Sequence, residues 1–140
     1  MKLSTRGKYG LYAMYYLAAH AGEGPLPLQS ISTMGGVPKQ YLEQLLGNLR
    51  RAGLVSTVRG AQGGYQIAAA PENVTLRDII DAVEGPIELS ECASADNTCR
   101  KSGTCPVRWV WQTDSINSEL EKIKLSDMLT QACESEEEQP

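Results

Sequence analysis

The chain has 140 residues, of which 41% are apolar and 21% charged, with a net charge of −4 at neutral pH. That length suits one domain with an extension, and no apolar run is long enough to span a membrane. Met1-Lys2-Leu3-Ser4 is too polar to open a secretory signal, so a cytoplasmic location is expected.

The net charge conceals a division. Residues 1–70 hold seven Lys or Arg and two acids, a net of +5, while residues 71–140 hold six Lys or Arg and fifteen acids, a net of −9. A basic half is what phosphate binding requires. The acidic half is expected to face away from nucleic acid.

In chain order, Tyr9, Ala13, Tyr16 and Leu17 predict a helix over 5–21, with Ser4 or Thr5 as its cap and Gly22-Glu23-Gly24-Pro25 as its stop. His20 ends it and reads as a surface or half-buried residue rather than a ligand. A short helix over 28–34 comes next, closed by Gly35-Gly36. The stretch 37–67, VPKQYLEQLLGNLRRAGLVSTVRGAQGGYQI, is the most informative. Leu42, Leu45, Leu46 and Leu49 are spaced three and four apart and share one helical face. Pro38 suits the first turn, and Gly53 suits the stop. The opposite face offers Lys39, Gln40, Glu43, Gln44, Asn48, Arg50 and Arg51, side chains able to meet phosphates and base edges. An ordinary amphipathic helix would look the same. The adjoining segment makes the difference, with strands over 54–59 and 65–68 around Gly60-Ala61-Gln62-Gly63-Gly64. Arg59 at that turn is placed for a phosphate or a narrow minor groove. A hairpin with a solvated Arg is the plainer alternative. Helix, Gly stop, strand, Arg-Gly and Gly-Gly-Tyr together read as a recognition helix and wing, and make DNA the expected partner.

A helix starting at Thr75 carries Leu76, Ile79, Ile80 and Val83 on its core face, with Thr75 and Asp78 as a capping box and Gly85 as its end. A long helix is predicted from Pro106. Its Trp109, Thr113, Ile116, Leu120 and Ile123 form a short heptad seam, read as a homodimer contact, with packing on its own domain as the alternative. A dimer would read a palindromic operator. A small terminal helix over 125–132, capped by Ser126, precedes a solvated, disordered acidic tail. The expected class is therefore mainly α: a winged helix-turn-helix with a two-stranded β wing and a long C-terminal dimerisation helix. The expected division is 1–85 for DNA binding, 86–105 for a cysteine loop, 106–132 for dimerisation and 133–140 for the tail. No Ser-His-Asp set, P-loop, dinucleotide fingerprint or internal repeat is present, so an enzyme is not expected.

Cys92, Cys99 and Cys105 fall in one polar stretch, with six and then five residues between them. Three thiolates are most of the ligand set of an iron–sulfur cluster. Structural zinc prefers closer pairs, and a disulfide is disfavoured in a reducing cytoplasm. Cluster, zinc and oxidant-sensing free thiols stay open on spacing alone, with the cluster first. Cys133 stands apart and reads as incidental.

The opening MKLSTRGKYGLYAM, the YLEQLLGNLRRAGLVSTVRGAQGGY block, the TLRDIIDAVEG helix and the three-cysteine stretch before a Trp-bearing helix resemble the Rrf2 family of bacterial regulators, the IscR-like branch above all. The likeness covers nearly all of residues 1–132. It implies a homodimeric winged-helix transcription regulator whose long helix crosses to the partner subunit. It implies an iron–sulfur cluster, 2Fe–2S in preference to 4Fe–4S, with its iron on Cys92, Cys99 and Cys105, controlling operator affinity. It implies DNA contacts at Lys2, Ser4 and Thr5, at Pro38, Gln40, Tyr41 and Gln44, and at Arg59 with Gly60, beside Arg50 of the helix's polar face. In that branch the residue matching Glu43 links cluster state to sequence choice. The chain departs from the family at the fourth ligand. Arg108 stands where the IscR-like branch has a histidine, and Lys8 falls at or near the acidic ligand of the NsrR-like branch; neither can coordinate iron. Asp96, Glu91, Ser102, Glu43 of the partner subunit or an exogenous ligand are the candidates. A thiol-redox regulator and a CymR-like regulator controlled by a metabolic enzyme docked on the acidic half are the alternatives without a cluster.

Overall fold

The computed structural model describes residues 4–85 and 115–137. Helix α1 spans Thr5–Ala19. Ser4 takes its N-cap position, and the Ser4 Oγ accepts from the Gly7 N–H at 3.4 Å. The helix stops at His20, short of the expected residue 21, and the His20 Nδ1 lies 2.6 Å from the Glu23 carboxylate. Helix α2 covers Leu28–Gly35 and α3 covers Lys39–Arg51. The turn between them is stitched by Ser32, whose carbonyl accepts from the Val37 N–H while its hydroxyl donates to the Val37 carbonyl at 2.6 Å. Pro38 sits one position ahead of α3, and its carbonyl accepts from the Leu42 N–H. Gly53, at φ 80°, adopts the left-handed turn that lets the Leu54 N–H bond back to the Leu49 carbonyl.

Strands β1, Val55–Val58, and β2, Gly64–Ile67, pair antiparallel from Val55 with Ile67 to Val58 with Gly64. The hairpin has a further anchor. Leu26 exchanges two backbone hydrogen bonds with Tyr65, both 2.8 Å, and so docks the wing on the segment before α2. A 3-10 turn at Pro71–Asn73 leads to α4, Leu76–Glu84, which carries the expected capping box between Thr75 and Asp78. Helix α5 spans Ser115–Lys122 and α6 spans Leu125–Glu137. Among the described residues, no helix is long and apolar enough to cross a membrane. Among the described residues the architecture is mainly helical with one two-stranded antiparallel sheet, a winged helix-turn-helix.

The C-terminal part differs from expectation at the cap and at the end of α6, and one further expectation is not covered by the described residues. The long helix is described only from Ser115; its predicted start at Pro106, with Trp109 and Thr113, lies outside the described residues. The cap of α6 is not Ser126, which lies inside the helix and whose carbonyl accepts from the Thr130 hydroxyl; the Asp127 carboxylate instead accepts from the Lys124 N–H at 3.0 Å. The helix also runs past Ala132 through Glu137, so the stretch expected as a disordered tail from residue 133 is helical as far as Glu137. Glu is a good helix former, and extending an existing helix avoids the cost of nucleation.

Helix α1 packs against α2, α3, α4 and α6. The core joins Ala13, Met14 and Leu17 of α1, Ile31 of α2, the four leucines of α3, Ile79 and Val83 of α4, and Leu125 of α6. Backbone bonds fix the last of these. Leu125 N–H donates to the Val74 carbonyl and Leu76 N–H to the Ile123 carbonyl, each at 2.8 Å. Arg77 pairs with Asp81 at 3.4 Å and with Glu121 of α5, joining α4 and α5 at the surface. Replacing fully buried Leu46 with alanine is expected to cost about 2–5 kcal/mol, against about 1 kcal/mol for Thr75→Ala at the α4 cap. Urea unfolding of the two variants checks the order as well as the sizes.

Candidate nucleic-acid interface

Because Leu42, Leu45, Leu46 and Leu49 are all at most 1% exposed, α3 has one rotational setting. That setting presents Lys39, Gln40, Glu43, Gln44, Arg51 and, in part, Asn48 to solvent. Arg51 donates to the Asn48 Oδ1 and is thereby held along the helix. Tyr41 is half-buried, and its ring meets Tyr9 edge-on at 5.6 Å, which ties α3 to α1 and leaves less of the ring for a ligand than its sequence position suggests.

The open face of α3 and the start of α1 border a groove of about 700 Å³ lined by Arg6, Gln40, Tyr41, Glu43, Gln44 and Arg51 among others. A second depression of about 560 Å³, lined by Ser4, Thr5, Arg6, Tyr41 and Glu84, shares Arg6 and Tyr41 with the first. Eight residues singled out from the sequence thus come together: Ser4, Thr5, Gln40, Tyr41, Glu43, Gln44, Asn48 and Arg51. Pro38 and Arg50 stand at opposite ends of α3, both exposed, and neither lines these two depressions. Arg59 and Gly60 are exposed on the wing.

Two residues of this region escape sequence reasoning. Arg6 borders both depressions. Its only signal is the density of cations in the first eight residues, Lys2, Arg6 and Lys8. Glu84 accepts from the Gly7 N–H at 3.2 Å across a separation of 77 residues, a contact no local pattern could announce. Lys2, Cys92, Cys99, Cys105 and Arg108 lie outside the described residues, as does every fourth-ligand candidate except Glu43. Among the described residues, no three His, Cys, Asp or Glu gather as a metal site.

The wing depends on glycine for a steric reason. A Cβ on Gly64 would lie 2.2 Å from the Leu26 carbonyl oxygen, and one on Gly63 would lie 2.1 Å from that of Val58. Gly64→Ala must therefore push the hairpin off Leu26. The expected loss is about 1–3 kcal/mol of stability, together with weaker DNA binding. Thermal unfolding and a duplex-binding titration on the same preparation check both parts.

Residues 3–131 match the Rrf2 family, described as an iron-dependent transcriptional regulator. The transcriptional regulator CymR of Bacillus subtilis is 39% identical over 128 residues, covering 91% of this chain and 89% of the relative. The regulator IscR of Aliivibrio salmonicida is 37% identical over 131 residues, 92% of this chain and 77% of the relative. The solved structure of T. potens IscR superposes with a TM-score of 0.75 at 42% identity, covering 94% of this chain and 88% of that one. The chain belongs to the Rrf2 family and is a DNA-binding transcription regulator, not an enzyme.

Proposed function

We propose that this protein is a cytoplasmic homodimer that binds a palindromic operator, with an affinity set by an iron–sulfur cluster on Cys92, Cys99 and Cys105. The observation that carries the operator part is the continuous polar surface running from Ser4, Thr5 and Arg6 across Gln40, Glu43 and Gln44. In this reading Gln40, Glu43 and Gln44 meet base edges, since amides and carboxylates read the donors and acceptors of the major groove. Lys2, Arg50 and Arg59 meet phosphates, with Ser4, Thr5, Pro38 and Tyr41 fixing the approach and Gly60 letting the wing tip come close. Arg59→Ala is expected to weaken binding about equally on all sequences and to lower the salt slope by about one. Titrations on two unrelated duplexes over a series of salt concentrations check it.

An apolar surface supports the dimer. Leu11, Tyr12, Tyr15, Tyr16, Ile123 and Met128 line a groove of about 550 Å³ between α1 and the C-terminal helices. Tyr12 and Ile123 are 40% and 41% exposed, so both keep apolar surface that a partner could cover. Ile116 and Leu120 of the expected seam lie on α5, while Ile123 follows the end of that helix and lines the groove, and a second copy is the occupant proposed.

The cluster part rests on donor chemistry. Three thiolates suit iron, and neither Arg108 nor the exposed Lys8 offers a lone pair for a fourth position. A bound cluster would supply a redox- and supply-sensitive cross-link among the three cysteines. A coupling of about 1.4 kcal/mol to DNA binding would change operator affinity tenfold. Anaerobic purification is expected to give a brown protein with a cluster-sized mass increment per subunit, lost in Cys92→Ser. A colourless protein that refuses iron and sulfide would sink the cluster. The departure at Arg108 favours one second reading, a regulator without a cluster that responds through its thiols as an oxidant sensor. It predicts that Cys→Ser variants lose their response to peroxide. Recovery of one stoichiometric metabolic enzyme with the protein would point instead to control by a partner.

A further inference from the structure

Glu84 is the last residue of α4, yet its carboxylate reaches the first turn of α1 and accepts from the Gly7 N–H at 3.2 Å, a shorter contact than the 3.4 Å to the Ser4 cap. It does so in the depression formed with Ser4, Thr5, Arg6 and Tyr41, which runs into the groove beside α3. Arg6 borders the same depression, but among the described residues neither Arg6 nor Glu84 is in an ion pair. The carboxylate is therefore not paired with the cation that borders the same depression. It places a negative charge in the surface that meets DNA while accepting from an amide. Packing fixes it there: a Cβ on Gly10 would lie 3.1 Å from Val83, so α1 and the end of α4 are in close contact.

We propose that Glu84 is a negative determinant of DNA affinity, an autoinhibitory carboxylate whose charge opposes the approach of a backbone phosphate to Ser4, Thr5 and Arg6. The inference rests on the operator-binding surface proposed above. A carboxylate and a phosphate oxygen have the same sign and the same hydrogen-bonding preference, so binding DNA at this edge must either tolerate the repulsion or displace the Glu84 side chain. Because Glu84 ends α4, a small shift of that helix end would move the charge in or out of the surface.

The test compares full-length wild type with Glu84→Gln, which keeps an acceptor for Gly7, and with Glu84→Ala, which keeps none. Each is titrated with a duplex of arbitrary sequence, roughly three helical turns long, over a salt series, since phosphate contact needs no operator. Glu119→Gln on α5, where the carboxylate is 72% exposed, is the control for loss of one charge. Both Glu84 variants are expected to bind about three- to tenfold tighter near 0.1 M salt, with a log–log salt slope steeper by about one per protomer engaged. Glu119→Gln is expected to leave the slope unchanged. Equal gains in Glu84→Gln and Glu119→Gln would reduce the effect to net charge and overturn the inference. Unchanged or weaker binding by both Glu84 variants, with wild type binding normally, would overturn it while leaving the operator reading intact. Wild type that binds no duplex at any salt would overturn the operator reading and this inference together.

Discussion

The leucine face of α3 is the constraint on which the rest of the structure depends. Four side chains at three- and four-residue spacing are driven into one core with α1, α2 and α4, each contributing roughly 1.5–3 kcal/mol of burial. Rotating α3 by a single residue position would expose part of that set and bury Gln or Glu without partners. The core therefore does more than hold the domain together. It dictates which polar side chains are available outside, and it does so from the inside. The Tyr9–Tyr41 edge contact and the Ser32–Val37 turn then limit tilt and translation.

The wing has a different physical basis. Its two four-residue strands share only one ladder, and a lone hairpin of that size is marginal in water. What makes it part of the body is the pair of bonds between Leu26 and Tyr65, made possible by the missing side chain at Gly64. The polar face of α3 and the wing are thus positioned by separate devices, one apolar and one by backbone hydrogen bonding.

Legibility in the sequence tracks the range of the forces. Helix faces are local, so Leu42 to Leu49 and the capping box at Thr75 and Asp78 can be placed by spacing alone. The hairpin is legible from its glycines and β-branched residues. Contacts between distant segments are not. Nothing in the pattern links Leu26 to Tyr65, Glu84 to Gly7, or Thr75 to Lys124, since each is a backbone or single-residue contact that becomes possible only once the helices have packed. The end of α6 departs from expectation for a related reason. A run of Glu and Ser resembles a solvated tail in composition, yet Glu also extends a helix already nucleated from Leu125. Of the candidate site, the α3 face is readable. Arg6 and Glu84 emerge only from the fold, and the three cysteines rest on their spacing and family resemblance.

The docking of α6 has one more consequence. Because Leu125 and Leu76 are bonded to Val74 and Ile123, and because α5 lies against α4, the two ends of the span between Gly85 and Ser115 are both tied to the body. Most of the entropy of closing that span is met when the domain folds, not when a ligand arrives. Any group that bound within that span would therefore find its two ends already held in place by the body of the domain.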